Sequence, residues 1–471
     1  MKQLTLIFLS IFLTNINLNA QIILPRVLGH NMVLQRNKPV QIWGKASVGE
    51  QVSVQFAGQN KTTKTDSDGN WSVTLKALKT SNKPSEMVIT GKNTIKLQNI
   101  LVGEVWLCSG QSNMEYTMRK NSKVTRPNVE GQNPVDELQF AKNPNIRIFL
   151  VNRKELVKPD SLHRGWSIAK DSALRSFSAV GYFFAKEINL QTDVPIGMIS
   201  SAIPGSRIEP WISEEAFAES AYYKNQKVDG EPAKFYNPMI RPLEKLAMRG
   251  FLWYQGESNC FLKDSTQYTH KLETLIKSWR NAWHDEKMPF YYVQIVPYLY
   301  SSSKGKVILD NKTLPTFWEA QANVSKILSK TDYVTTTDLI DSLTELHPSY
   351  KWEIGKRLAL LALKNDYDKK GIIAQGPEFE KIKIDGDKAI ITFKNAENGL
   401  LSKDGKALTF FELAANDGHF VKANAQIEGN SVVVTAPNIS KPKSVRFAWD
   451  ETAKPNLFNQ AGLPARPFRT K

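Results

Sequence analysis

Ser112 stands in the run Gly110-Gln111-Ser112-Asn113-Met114, shortly after the apolar segment Val102–Leu107. That segment has the length and residue types of a buried strand. It stops at Cys108-Ser109-Gly110, where a helical pattern begins. A serine at a strand-to-helix turn sits among outward-facing backbone N–H groups, and it serves there either as a helix N-cap or as a nucleophile whose oxyanion those groups meet. Ester hydrolysis also requires a base, a group that orients the base, and oxyanion donors. Three other segments carry such residues: Pro204-Gly205-Ser206-Arg207, Gln255-Gly256-Glu257-Ser258-Asn259 and Glu345-Leu346-His347-Pro348. His347 is the expected base. The backbone N–H groups of Ser112 and Gly205, with the Gln255 side-chain amide, are the expected oxyanion hole, since a residue without Cβ lets the backbone approach a ligand. Each residue also has a plain structural reading: His347 as a loop residue, Gly256 as a turn, Glu257 as a carboxylate bonded to backbone, Met114 and Met118 as core packing.

The elements that must position these groups follow from periodicity. Residues 21–100 alternate with the two-residue period of half-buried strands, as in Val40–Trp43, Gln51–Phe56 and Trp71–Leu75, and suggest a small β-sandwich. Residues 101–370 alternate apolar strands with helices. Val194–Ile203, Met248–Tyr254, Phe290–Val296 and Tyr333–Leu339 are the expected buried strands. Helices are expected over Ala179–Leu190, after His347, and where Tyr268, Leu272, Leu275, Ile276, Trp279 and Trp283 form one stripe. This is the pattern of an α/β domain with a mostly parallel sheet, whose ligands bind beyond the C-terminal strand ends. All four chemical segments follow such strands. Residues 371–471 return to β alternation, with Pro455–Arg469 as an extended strap.

Composition excludes several function classes. Residues 1–20 carry Lys2 as their only charge, an apolar run and a small-residue end, the pattern of a cleavable signal peptide and hence of a secreted or periplasmic protein. Its removal would take the formal charge from +16 to +15, one lysine fewer. No later segment has the length and apolarity of a membrane span. The basic residues are dispersed, which argues against nucleic-acid binding. Two cysteines, Cys108 and Cys260, cannot build a disulfide framework and read as buried thiols, although both flank motifs at strand ends and could lie together. The six histidines lack metal-ligand spacing, and no Gly-x-Ser-x-Gly elbow or phosphate loop is present.

GQSNM at Gly110–Met114, GSRIEPW at Gly205–Trp211, FYNPMI at Phe235–Ile240, WYQGESN at Trp253–Asn259 and HPSYKWEIGKRLA at His347–Ala359 resemble the sialate O-acetylesterases of the SGNH hydrolase superfamily. The likeness extends over Leu24–Trp43 and Val445–Thr470. It implies a flavodoxin-like three-layer catalytic domain flanked by β regions, no metal or other cofactor, and de-O-acetylation through an acyl-enzyme on Ser112 with His347 as base. Members of that family usually carry an aspartate two or three residues before the histidine, where this chain has Thr344 and Glu345. Asp341 and Asp338 lie further back; Glu345 is therefore the expected third member, with Asp341 and Glu257 as alternatives and a Ser–His pair oriented by a backbone carbonyl as another. Pro204 stands where a second glycine is common.

The leading expectation is a serine esterase acting on O-acetylated sialic acids, with Arg207 either pairing with the sialic carboxylate or held by Glu209. An acetylesterase for xylan or another neutral polysaccharide is the alternative within the class. A non-catalytic glycan-binding protein is the alternative outside it.

Overall fold

In the computed structural model, which describes residues 21–123, 137–139, 141, 143–151 and 165–470, one long strand joins two parts of the molecule. This strand, β1 (Thr94–Gly110), is 17 residues long. Its first half alternates between exposed and buried positions and pairs antiparallel with Ser81–Thr90. From Ile100 onward every residue is buried, as expected of a strand covered on both faces. The strand thus starts earlier than the apolar run suggests and passes through residues 100 and 101 unbroken. The signal-peptide segment, residues 1–20, lies outside the described residues.

The second half of β1 is the centre of a parallel sheet. β2 (Ile146–Leu150), β3 (Ile196–Ala202), β4 (Gly250–Tyr254), β5 (Phe290–Val293) and β6 (Thr331–Val334) lie in the order β6-β5-β4-β1-β3-β2. Each of these neighbours pairs parallel. Strand order reverses at β1, which makes its C-terminal end a topological switch point, where open α/β sheets place their ligands. Ala202 and Tyr254 both register with Gly110, so β3, β1 and β4 end level there.

Side chains alternate across the sheet and build two cores. Leu107, Phe251 and Trp253 face one side, where α3 (Glu214–Glu219), α4 (Gln267–Ala282) and α5 (Thr313–Ile327) contribute Phe217, Leu272, Trp279, Phe317 and Trp318. Trp106, Cys108, Leu252 and Tyr254 face the other, where α2 (Ala179–Thr192) and α6 (Lys351–Asp366) contribute Phe184, Ile188, Ile354 and Leu358. Met114 and Met118 are fully buried in this second core. Cys108 and Cys260 lie in different cores and are free thiols, so the two do not meet.

The N-terminal strands Gln51–Phe56, Gln59–Lys64 and Ser81–Thr90 extend the sheet of β1, while Val40–Lys45 and Asn70–Leu75 pair separately; their inward residues join the first core. After α6 the chain forms two four-stranded sheets around a third core. The closing strap is partly ordered as strands: Leu457–Asn459 pairs with Leu400–Ser402, and Phe468–Arg469 with Ser444–Phe447. Among the described residues no helix is long and apolar enough to cross a membrane. The architecture is mixed α/β, with added antiparallel sheets at the C-terminal end.

Candidate active site

β1 ends on a turn that only glycine tolerates. Gly110 has φ +140°, and a Cβ there would lie 2.1 Å from the Tyr254 carbonyl oxygen. Gln111 then takes the N-cap position of α1 (Ser112–Glu115) without a side-chain cap bond, and Ser112 is the first helical residue. Ser112 is therefore not the cap. Its backbone N–H belongs to the first turn, which has no intrahelical acceptor, and its Oγ lies 2.8 Å from Nε2 of His347. His347 sits in the loop between β6 and α6. Two buried amides tie that loop to the serine side of the site: Asn113 Nδ2 donates to the Leu346 carbonyl at 3.0 Å, and Asn121 Nδ2 to the Ser349 carbonyl at 2.6 Å. Burial lowers the imidazole pKa below its ordinary value; the Lys351 and Lys120 cations lower it further, against the opposing pull of Glu345. A neutral imidazole facing a hydroxyl is the arrangement general-base chemistry needs.

The three candidate acids lie in different places. Glu345 Oε1 accepts the His347 backbone N–H at 2.7 Å and lies 3.6 Å from Nδ1. That separation exceeds a hydrogen bond, yet it places the carboxylate on the ring nitrogen facing away from Ser112. Asp341 accepts from the backbone N–H and hydroxyl of Ser349, at 2.8 and 3.1 Å. Glu257 is 1 % exposed and accepts from Asn113 Nδ2 at 2.5 Å; burial pushes its pKa up. Asp338 forms a bidentate pair with Arg357, at 2.6 and 2.8 Å.

Gly205 follows β3 in the left-handed region, with φ +71° and open space where a Cβ would stand. Conformation, rather than close approach, is what calls for glycine there. Ser258 Oγ donates to its carbonyl at 3.1 Å. The Gln255 amide, expected as an oxyanion donor, is engaged within the protein. It is fully buried, and its Nε2 faces Asn259 Oδ1, Gln111 Oε1 and Ser206 O at 2.7, 3.1 and 3.2 Å, three acceptors for two hydrogens. Gln111 Oε1 also faces the backbone N–H groups of Gly256 and Ser258 at 3.3 and 3.4 Å. Gln255 and Gln111 thus lock the two motifs together beneath the site. Arg207 is a third exposed and donates through Nη2 to buried Glu209 at 2.5 Å; Lys271 and Asn259 bond the same carboxylate.

Spacing alone left several residues of this site without a role. Gln111, Asn113, Asn259 and Lys351 all lie inside the motifs, but their contacts are made in three dimensions by burial. Only a lysine or asparagine in an otherwise apolar stretch would have hinted at them. Among the described residues no three His, Cys, Asp or Glu side chains converge as a metal-binding group.

Comparison with known proteins adds an independent line. Residues 102–364 match the sequence profile of a family described as carbohydrate esterase, sialic acid-specific acetylesterase. The chain is 26 % identical to human sialate O-acetylesterase and 28 % identical to that of Pongo abelii, in each case over 94 % of this chain and 91 % of the relative. It is also similar to the crystal structure of a carbohydrate acetylesterase from Xanthomonas citri, with a TM-score of 0.83 and 31 % identity, over 96 % of this chain and all of that one. A profile match over more than half the sequence, on the residues that carry the Ser112–His347 pair, shows that the chain belongs to the sialic acid-specific acetylesterase family of carbohydrate esterases.

Proposed function

We propose that this esterase removes O-acetyl groups from sialic acids through an acetyl-enzyme on Ser112. The 2.8 Å contact between Ser112 Oγ and His347 Nε2 carries the reading. His347 takes the hydroxyl proton as Oγ attacks the acetyl carbonyl, and the N–H groups of Ser112 and Gly205 receive the developing oxyanion. The tetrahedral intermediate collapses with cleavage of the bond to the sugar oxygen, which takes the proton from His347 and leaves as a hydroxyl, and water then attacks the acetyl-enzyme by the same steps to release acetate and free Ser112. Glu345 stabilises the imidazolium that forms in each half-reaction. Gln255, whose amide is committed within the protein, supports Gln111 rather than the oxyanion.

The three-layer arrangement around β1 fits an SGNH hydrolase domain over residues 101–370, between β regions at 21–100 and 371–471. With residues 1–20 as a cleavable export signal, the enzyme works outside the cytoplasm, where acetylated sialoglycans would be its substrates. Arg207 is the candidate carboxylate ligand. Its pairing with Glu209 fixes the guanidinium, but it also satisfies part of that charge, and this favours acetylated xylan or another neutral glycan as the second reading. Acetate release from 9-O-acetylated sialic acid and from acetylated xylo-oligosaccharides separates the two. We expect the sialic ester to be preferred, and Arg207→Gln to raise KM for it alone. A clear preference for the neutral sugar overturns the sialic assignment.

A further inference from the structure

A buried cation stands directly behind the proposed catalytic pair. Lys351 is fully buried at the first position of α6. A positive charge at a helix N-terminus has the wrong sign for the helix dipole, and an ammonium without water is costly, so helix stability does not account for it. Its Nζ donates to Asn113 Oδ1 at 2.6 Å and lies over the rings of Tyr116 and Tyr254, 4.8 and 5.3 Å from their centroids. The same Asn113 amide donates from Nδ2 to Glu257 and to the carbonyl of Leu346, the residue before His347. One asparagine thus links the residue after the nucleophile, the loop of the base, a buried cation and a buried carboxylate.

On the esterase reading above, we propose that Lys351 and Asn113 are positioning residues: the buried Lys351 ammonium anchors Asn113, and Asn113 holds the His347 loop against α1. The charged groups acting on His347 are Lys351 from α6, Lys120 from the Met118–Asn121 helix and Glu345 in its own loop. Those acting on Lys351 are Glu257 and Glu345, which favour its charge, and Lys120, which opposes it; burial outweighs them and brings its pKa down to about 7. After burial, the Lys351 charge is the largest cause holding the His347 pKa below its ordinary value. Removing that charge lets His347 protonate at higher pH.

The test uses the full chain and a chromogenic acetyl ester, with kcat and KM measured across pH and melting followed in parallel. Lys351→Met should move the acidic limb of kcat/KM to higher pH and lower kcat on the order of 10²-fold, the scale of a misplaced catalytic group, with KM little changed. Lys351→Gln keeps a donor for Asn113 but no charge; it should move the limb in the same direction with a smaller loss of kcat, and it carries the test if the methionine variant does not fold. Asn113→Ala should lower kcat and leave the limb where it is. If the lysine variants keep the parent's limb and kcat, the inference is overturned. Ser112→Ala, run alongside, separates the two ideas: an active Ser112→Ala sinks the esterase site itself, whereas an inactive one beside unshifted lysine variants sinks only the role of Lys351.

Discussion

A histidine that is to act as a base must be neutral when substrate arrives, and the surroundings of His347 favour that state. Burial and the Lys351 charge both disfavour the imidazolium. Activity should therefore persist as pH falls past the ordinary imidazole value of about 6.5 and decline only below it, which a pH profile of kcat/KM will show. Glu345 acts in the opposite sense. Glu345→Gln removes a charge that stabilises the imidazolium, so the acidic limb should move to still lower pH while kcat falls on the order of 10²-fold. Asp341→Asn, at a carboxylate engaged with Ser349, should cost less in the same assay. That Ser112 and His347 lie together was legible because both follow strand ends of one sheet, whereas Glu345 was picked out only by its place before His347 in the family's motif. Gln255 was placed on the correct edge, but a sequence does not say which acceptors surround a buried amide. The partnership of Asn113 with Lys351 was illegible because the two are far apart in the chain and have no common period.

At the scale of elements, parallel strands ending level around Gly110 create the site. β3 and β4 were legible to within two residues, since both are continuous apolar runs flanked by turn residues. β1 was legible only in its second half. Asn99 lies inside it at φ +60°, where the pairing with Ser81–Thr90 shifts register. Such an irregularity interrupts the alternation by which a strand is recognised. The turn at Gly110 is the element on which the position of Ser112 most depends. Gly110→Ala should destabilise the protein by at least ~2 kcal/mol, from a strained φ and the clash with the Tyr254 carbonyl. It should also depress turnover, because Gln111 and Ser112 must shift; a urea unfolding midpoint and a rate measured on one preparation check both.

Over the whole molecule, the C-terminal sheets are fastened to the catalytic domain at several points, among them Glu451 to Ser301, Arg469 to Glu319 on α5, and Arg466 to β6. Arg466, 5 % exposed, bonds Asp332 at 2.8 Å and Glu378 at 2.6 Å, and it stacks 4.0 Å from the Tyr333 ring centroid. The strap containing it was read from sequence as extended and aperiodic, which its two short strands largely preserve; its anchoring role was not visible, because both partners come from distant segments. Arg466→Ala leaves Glu378 without its cation and Asp332 with Gln375 Nε2 as a remaining side-chain donor, and it should cost about 3 kcal/mol, the low end for a buried pair that loses one partner, measured by denaturant unfolding. Because β6 leads directly into the loop of His347, activity should fall at temperatures where the parent is still active. These elements converge on Ser112, the proposed nucleophile of the esterase. The most direct test of that claim is the turnover of Ser112→Ala on a chromogenic acetyl ester, with the melting temperature as a control for folding. The expected result is a loss on the order of 10⁶-fold in a protein that melts as the parent does. A folded Ser112→Ala that turns over at a rate comparable to the parent contradicts the claim.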